Sequence, residues 1–395
     1  MGLEAIFARR ALTPLDEIAD PVVLVDGQKI VAVGPQKEIA VPASARRFDK
    51  RAFTIVPGFI DVHVHGAAGH DMMEASPEAL TAIAASVAAR GTTSLAATTV
   101  TASEEATCKA VEAVAGWMER RKCESPGGAP SAEILGVHFE GPFISRARRG
   151  VHPAEWITAP SVSLFRRFLA AAKGTARILT LAPELPGAAD LITEALQAGV
   201  VVSVGHTDAS YAEAMAAISR GARHAAHVFN AMRPFAHRET GVLGAVLTSA
   251  GVTAELIADG VHVDAAAIRI LFATKGPRDV ILVSDGTAAT GMPDGKYKLG
   301  TFEVSVAGGV ARNSEGKLAG STLTLDRALR HMVALGISLG DVLPMLTSNP
   351  ARLLGLEQRK GCLKAGTDAD LILLDDQLEI AGVMTRGIGL SQFKD

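Results

Sequence analysis

Between residues 54 and 335, short apolar runs alternate eight times with alanine-rich stretches of helical period, and this rhythm admits few folds. The runs lie at 54–64, 94–100, 134–139, 178–181, 200–204, 224–228, 254–258 and 280–283. The helical stretches fall at 77–90, 104–121, 161–173, 188–198, 209–220, a short 242–250 and 265–274; a last one, 325–335, follows an irregular segment at about 287–320. Runs so short and so continuously apolar must be covered on both faces, the situation of a parallel strand between helices. Eight strand–helix units in this order predict an α/β chain with a (β/α)8 barrel of the TIM type. The segments 123–131, rich in Gly, Pro and Ser, and 293–296 read as loops.

The chain ends have a different character. Val22-Val23-Leu24-Val25 and Lys29-Ile30-Val31-Ala32-Val33 flank Asp26-Gly27, a hairpin signal. Asp370-Leu371-Ile372-Leu373-Leu374 and Val383-Met384-Thr385-Arg386-Gly387 read as strands as well. The expected organisation is a small β-sandwich domain built from both ends, residues 1–56 and 357–395, with the barrel, residues 57–356, inserted between them.

A length of 395 residues suits a barrel plus a minor domain. Net charge is −3 without blocks of like charge, so neither nucleic acid nor an anionic membrane is expected as a partner. The short basic cluster Arg146-Ala147-Arg148-Arg149 reads as a solvated loop, with phosphate steering as the alternative. Cys108, Cys123 and Cys362 are scattered and odd in number, which fits a reducing, cytoplasmic setting better than a disulfide framework. Met1-Gly2-Leu3-Glu4 lacks the basic and apolar regions of a secretory leader, and Ile6 breaks the myristoylation pattern. Apolar runs end well short of a membrane span.

In such barrels chemistry sits where the strands end. The first strand ends in His63-Val64-His65, and alternation puts both imidazoles on one face. The third ends in His138-Phe139-Glu140, and the fifth in Gly205-His206-Thr207-Asp208. The sixth carries His227, the seventh is followed by Asp259-Gly260-Val261-His262, and the eighth ends in Ser284-Asp285-Gly286. Singly, a strand-end His is more often a hydrogen-bonded core residue, and a lone Asp a helix cap. Jointly they make a nitrogen and oxygen ligand set for zinc or a similar transition metal. Asp61 reads as a supporting partner or a plain structural bond. Gly336-Ile337-Ser338-Leu339-Gly340 matches a nucleophile elbow but follows a helix rather than a strand, so a capped helix–helix turn is expected.

The stretch Pro57-Gly58-Phe59-Ile60-Asp61-Val62-His63-Val64-His65-Gly66 resembles the amidohydrolase superfamily. Further motifs resemble its N-acetylglucosamine-6-phosphate deacetylase family: His138-Phe139-Glu140-Gly141-Pro142-Phe143, Gly205-His206-Thr207, His227-Val228-Phe229-Asn230-Ala231-Met232, His237-Arg238-Glu239-Thr240-Gly241, Ala258-Asp259-Gly260-Val261-His262 and Leu318-Ala319-Gly320-Ser321-Thr322. The resemblance runs in order from about residue 20 to 387. It implies hydrolysis of an N-acetyl amide to glucosamine-6-phosphate and acetate by metal-activated hydroxide. Glu140, His206 and His227 are the implied constant ligands. His63 and His65 vary in that family; here both are present, which permits a second ion with Glu140 bridging. Asp285 is implied as general base and acid beside the metal, and His152 as a partner of the acetyl carbonyl. Asn230 and Ala231 are implied to bind the phosphate through backbone N–H groups, and His262 the sugar hydroxyls. Arg238 is implied to grip the phosphate, in a homodimer across the subunit interface. Gly141, His237, Leu318, Ala319 and Gly320 are placed beside the substrate by the same motifs.

The implied cofactor is a divalent metal, one or two ions per chain, zinc first with Fe, Mn or Co as alternatives. The galactosamine epimer and another small N-acyl substrate remain open. A carboxylated lysine of other amidohydrolases is not expected, because strand four ends Leu181-Ala182-Pro183-Glu184. A non-catalytic scaffold of the same fold is the remote alternative.

Overall fold

The computed structural model describes residues 2–14, 16–123 and 128–389. Eight parallel strands, Phe59–Val64, Thr92–Thr99, Glu133–Glu140, Ala176–Leu181, Val201–Val204, His224–Ala225, Thr253–Leu256 and Val280–Leu282, pair in chain order. The eighth returns to the first at the carboxyl end. There the Asp285 amide donates to the His63 carbonyl at 2.9 Å and the His65 amide to that of Gly286 at 2.8 Å. The result is the expected TIM-type barrel, closed at its mouth.

The surrounding helices are Pro77–Ala88, Glu104–Cys123, Val162–Ala172, Ala188–Gln197, Tyr211–Arg220, Gly241–Thr248, Ala265–Lys275 and Leu325–Ala334. One shows why such segments are helical. Ser161 caps Val162–Ala172 by accepting from the Leu164 amide, and Lys173 ends it in the left-handed region. Its apolar face buries Phe165 and Phe168, and Phe168 stacks on Phe139 of strand three at 5.8 Å between ring centres. Truncating Phe168 to Ala costs about 3–5 kcal/mol on the usual scale of large-to-small core changes. Ser338 caps the helix Leu339–Leu346, so the apparent nucleophile elbow is a turn between helices.

The chain ends join in one seven-stranded mixed sheet. It contains Glu4–Leu12, Glu17–Ala19, Pro21–Asp26, Lys29–Pro35 and Arg46–Pro57 from the start of the chain, and Leu371–Leu374 and Ile380–Met384 from its end. The expected hairpin pairs Asp26 with Lys29, and Gly27 (φ +56°) supplies the positive φ that its turn requires. A buried ionic knot ties this sheet to the barrel. Lys360 Nζ lies 2.8 Å from Glu133 on strand three, 2.9 Å from Asp368 and 2.6 Å from Asp370.

Three expectations need correction. The run 54–64 is divided: its first residues finish the strand Arg46–Pro57, and Phe59–Val64 alone enters the barrel. The break falls at Gly58, where a Cβ would lie 2.1 Å from Thr93 Oγ1. The segment 287–320 contains a three-stranded antiparallel sheet, Gly295–Leu299, Phe302–Ala307 and Val310–Arg312. Its alternating Phe302-Glu303-Val304-Ser305-Val306 and the Gly308-Gly309 turn were visible signals, masked by the longer rhythm of barrel units. The supposed loop 293–296 therefore ends inside a strand. Residues 128–131 of the other expected loop carry no helix or strand, and 124–127 lie outside the described residues.

Candidate metal centre

Strand alternation turns His63 and His65 inward, and both are buried. They meet the carboxylate of Glu140, the last residue of strand three. Glu140 Oε1 lies 2.9 Å from His227 Nε2, 3.0 Å from His206 Nε2 and 3.4 Å from His63 Nε2. Its Oε2 lies 3.1 Å from His152 Nε2 and 3.3 Å from His65 Nε2. Asp285 Oδ1 stands 3.2 Å from His65 Nε2 and 3.7 Å from His63 Nε2. The mouth thus holds overlapping groups of ligand atoms within 4.8 Å of one another: His63–Glu140–His227, His63–His65–Asp285 and Glu140–His152–His206. The backbone is unusual where these side chains leave their strands. His206 (φ +47°), His227 (φ +26°) and Asp285 (φ +48°) occupy a region costly for residues with a Cβ, which must be held by surrounding contacts.

Outer hydrogen bonds decide which ring nitrogens face inward. His63 Nδ1 meets Glu255 Oε2 at 2.8 Å, His65 Nδ1 the Thr98 carbonyl at 3.2 Å, and His206 Nδ1 the Arg148 carbonyl at 2.9 Å. Those partners only accept, so Nδ1 carries the proton in each ring. When such a ring is neutral, its Nε2 lone pair points at carboxylate oxygens. Acceptors face acceptors, and only protons or a cation between them make this arrangement favourable. His63 Nε2 makes the point most clearly, being buried without a hydrogen-bond partner. The donor set therefore fits a divalent metal. His227 differs, since no acceptor meets its buried Nδ1.

The titration behaviour follows. Burial opposes charge on His63, yet Glu255 and Glu140 hold its pKa well above the ordinary imidazole value. Burial also opposes charge on His65, but bonds to Asp285 and Glu140 raise its pKa to about 9. Glu140 and Asp285 are pushed up by burial and pulled below ordinary carboxylate values by the imidazoles around them. His152 moves the other way, to about 4, because burial outweighs the attraction of Glu140. Its Nδ1 accepts from the Thr101 amide at 3.2 Å, which leaves the proton of the neutral ring on Nε2, directed at Glu140.

A cavity of about 170 Å³ opens above these groups. Asn230, Ala231, His262, Leu318 and Gly320 line it together with His65, Glu140, His152, His206, His227 and Asp285. His262 is fixed by Asp259, whose Oδ2 lies 2.7 Å from its Nδ1. Gly141 (φ +81°) lies beneath the wall, where a Cβ would strike Thr101 Oγ1 at 2.1 Å. Ala319 is buried behind the wall, while His237 and Arg238 are on an exposed loop and take no part in this chain's cavity. The basic cluster lies on an exposed to half-buried turn, as a solvated loop would, but its guanidinium groups are engaged. Arg146 binds the Ala154 and Ile157 carbonyls, Arg148 binds Asp208, and Arg149 holds the His152 carbonyl at 2.8 Å. Asp61 ties strands one and eight by accepting from the His63 and Ser284 amides.

Sequence reasoning missed a deeper polar layer. Glu255 on strand seven touches His63 and, through Oε1 at 2.8 Å, His224 Nε2. His138 spans the Val62 carbonyl and Thr180 Oγ1. A carboxylate inside the apolar run 254–258 was the available signal, since a buried acid needs buried donors.

The sequence pattern of the Amidohydrolase family matches residues 54–389. N-acetylglucosamine-6-phosphate deacetylase of Bacillus subtilis is 38% identical over 352 residues, 89% of this chain and 86% of that one. N-acetylgalactosamine-6-phosphate deacetylase of Escherichia coli O157:H7 is 36% identical over 381 residues, 96% of this chain and 97% of that one. Among solved structures, a mutant N-acetyl-D-glucosamine-6-phosphate deacetylase of Mycobacterium smegmatis in complex with N-acetyl-D-glucosamine-6-phosphate superposes with a TM-score of 0.91. It is 37% identical, with 99% of this chain and 100% of that one covered.

Proposed function

Because the chain belongs to the amidohydrolase family, we propose that it is a metal-dependent deacetylase that hydrolyses the N-acetyl amide of N-acetylglucosamine-6-phosphate. The observation that carries this reading is the convergence of imidazole lone pairs on Glu140 and Asp285 below a cavity lined by His152, Asn230, Ala231 and His262. Glu140, His206 and His227 would hold one divalent cation, and His63, His65 and Asp285, with Glu140 between, a second. Such a cation supplies a more acidic water and a polarised carbonyl. Zinc suits this nitrogen and oxygen donor set, with Fe, Mn and Co as alternatives.

The chain's own groups do the rest. Asp285 accepts a proton from the attacking water and returns it to the departing sugar nitrogen. His152 stays neutral and donates from Nε2 to the acetyl oxygen as negative charge gathers there. The Asn230 backbone N–H is given to the His227 carbonyl at 3.0 Å, so of the two expected donors the Ala231 backbone N–H meets the phosphate, and His262 the hydroxyls. Arg238, exposed and outside its own chain's cavity, serves the phosphate bound by a second copy in a homodimer. Among the described residues no helix is long and apolar enough to cross a membrane.

A second reading, the galactosamine epimer, is favoured by the Escherichia coli relative, which covers more of this chain than the Bacillus subtilis one. Acetate release from both phosphorylated epimers and from unphosphorylated N-acetylglucosamine tests the assignment. Two charge-assisted contacts of about 2 kcal/mol each predict a kcat/KM advantage for the phosphate on the order of 10³. Equal turnover with and without phosphate would remove that part of the reading, and faster turnover of the galactosamine substrate would select the second.

A further inference from the structure

Glu255 touches neither the cavity nor any candidate substrate group, yet two of the candidate ligands depend on it. Its carboxylate is fully buried on strand seven. Oε2 accepts a hydrogen bond from His63 Nδ1–H at 2.8 Å and another from the His227 backbone amide at 3.0 Å. Oε1 faces His224 Nε2 at 2.8 Å, and His224 Nδ1 meets Thr253 Oγ1 at 2.7 Å. The His227 amide belongs to a residue with φ of +26°, so this contact supports an unfavourable backbone angle.

His63, His138 and Glu255 also lie close enough together to suggest a deeper cation site. Their bonding argues otherwise. Both His138 nitrogens are engaged, by the Val62 carbonyl and Thr180, and both Glu255 oxygens already accept. Glu255 is an anion that orients its neighbours.

We propose that Glu255 is a positioning residue that sets whether the His63–His65–Asp285 corner takes a second cation. The proposal rests on the reading of the mouth as a metal centre. By requiring a proton on His63 Nδ1, Glu255 leaves the Nε2 lone pair directed at Glu140 and Asp285, 3.4 Å and 3.7 Å away. A buried negative charge behind the ring also makes Nε2 a stronger donor to a cation. The same oxygen holds the His227 backbone, so one atom registers the two candidate sites against each other.

Glu255→Gln separates charge from shape. The amide oxygen can accept from His63 and His227 as Oε2 does now. The amide NH2 can donate to His224, whose proton moves to Nδ1 toward Thr253. The chain is stripped with a chelator and titrated with zinc against a competing chromophoric chelator, with circular dichroism as a check of folding. Wild type should bind two ions. In Glu255→Gln the tighter ion should be retained within about threefold, and the weaker one should lose about 10–100-fold in affinity, the usual effect of removing a ligand's outer partner. Two ions with unchanged affinities in the variant would overturn the role of Glu255 and leave the metal reading intact. A single ion in wild type, indifferent to His63→Asn, would overturn the two-cation reading and this proposal with it. If the variant does not fold, 15N-histidine spectra of zinc-loaded wild type decide: a proton on His63 Nδ1 supports the proposal, and a proton on Nε2 refutes it.

Discussion

Replacing Asp285 with Asn changes one proton acceptor and almost no volume, which makes Asp285→Asn the most direct probe of the chemistry. The carboxylate lies 3.2 Å from His65 Nε2 and 3.7 Å from His63 Nε2, on the cavity wall. The contacts of Glu140 Oε1 with His206 and His227 do not involve it, so one cation should remain bound. The amide cannot take a proton from water. Loss of general acid–base catalysis typically costs 10²–10⁴ in rate, or about 3–5.5 kcal/mol of barrier at 1.36 kcal/mol per decade. The assay is acetate release at saturating substrate, with metal content measured by mass spectrometry and folding by thermal denaturation. A kcat within tenfold of wild type, with metal retained, would refute Asp285 as the proton carrier. A large loss accompanied by loss of all metal would show that Asp285 acts mainly as a ligand.

The double change His63→Asn with His65→Asn should leave one tightly bound ion and measurable activity; a metal-free product would mean that Glu140, His206 and His227 do not suffice. Arg238→Ala should raise KM by about 10–100-fold with kcat nearly unchanged, and an unchanged KM would exclude its phosphate role. Without metal, His65 has a folded pKa of about 9, above the ordinary 6.5. Its contribution to stability is therefore complete below about pH 6.5 and disappears as pH rises through about 9. The urea midpoint of chelated protein should fall over that window relative to metal-loaded protein, and zinc loading near pH 7.5 should release about one proton or more per chain; loading without proton release would contradict it. Lys360→Met leaves Glu133, Asp368 and Asp370 buried together, at a cost of about 3–5 kcal/mol. A loss below about 1 kcal/mol would show that Arg359 and Lys29, which also contact this cluster, suffice to hold it.

The sequence made the barrel legible because each buried strand and each capped helix announces itself locally. Ser161 before Val162–Ala172 and Gly27 in the first hairpin are examples. The division at Gly58 was missed because apolar residues continue on both sides of it, while in the structure the chain passes between the two sheets where Thr93 leaves no room for a Cβ. The strand-end histidines could be placed together because barrel topology converts chain position into location. Glu255 could not be found that way. It lies below the mouth, and its importance comes from three donors brought from strands one and six. Arg149 was read by its charge alone, whereas its bond to the His152 carbonyl depends on how one loop folds back.

The joint between strands one and eight has a consequence for how the chain comes apart. The last stave meets the first through the backbones of His63, His65, Asp285 and Gly286, so the clasp of the cylinder is made from the chemical apparatus itself. These segments lie far apart in the chain, and bringing them together is entropically the most demanding closure in the barrel. An ion shared by His63, His65 and Asp285, as proposed above, would staple that clasp. Release of that ion would then turn the mouth into the place where the cylinder opens first, and hydrogen exchange at the amides of residues 65, 66 and 285 should report the change before any helix loosens.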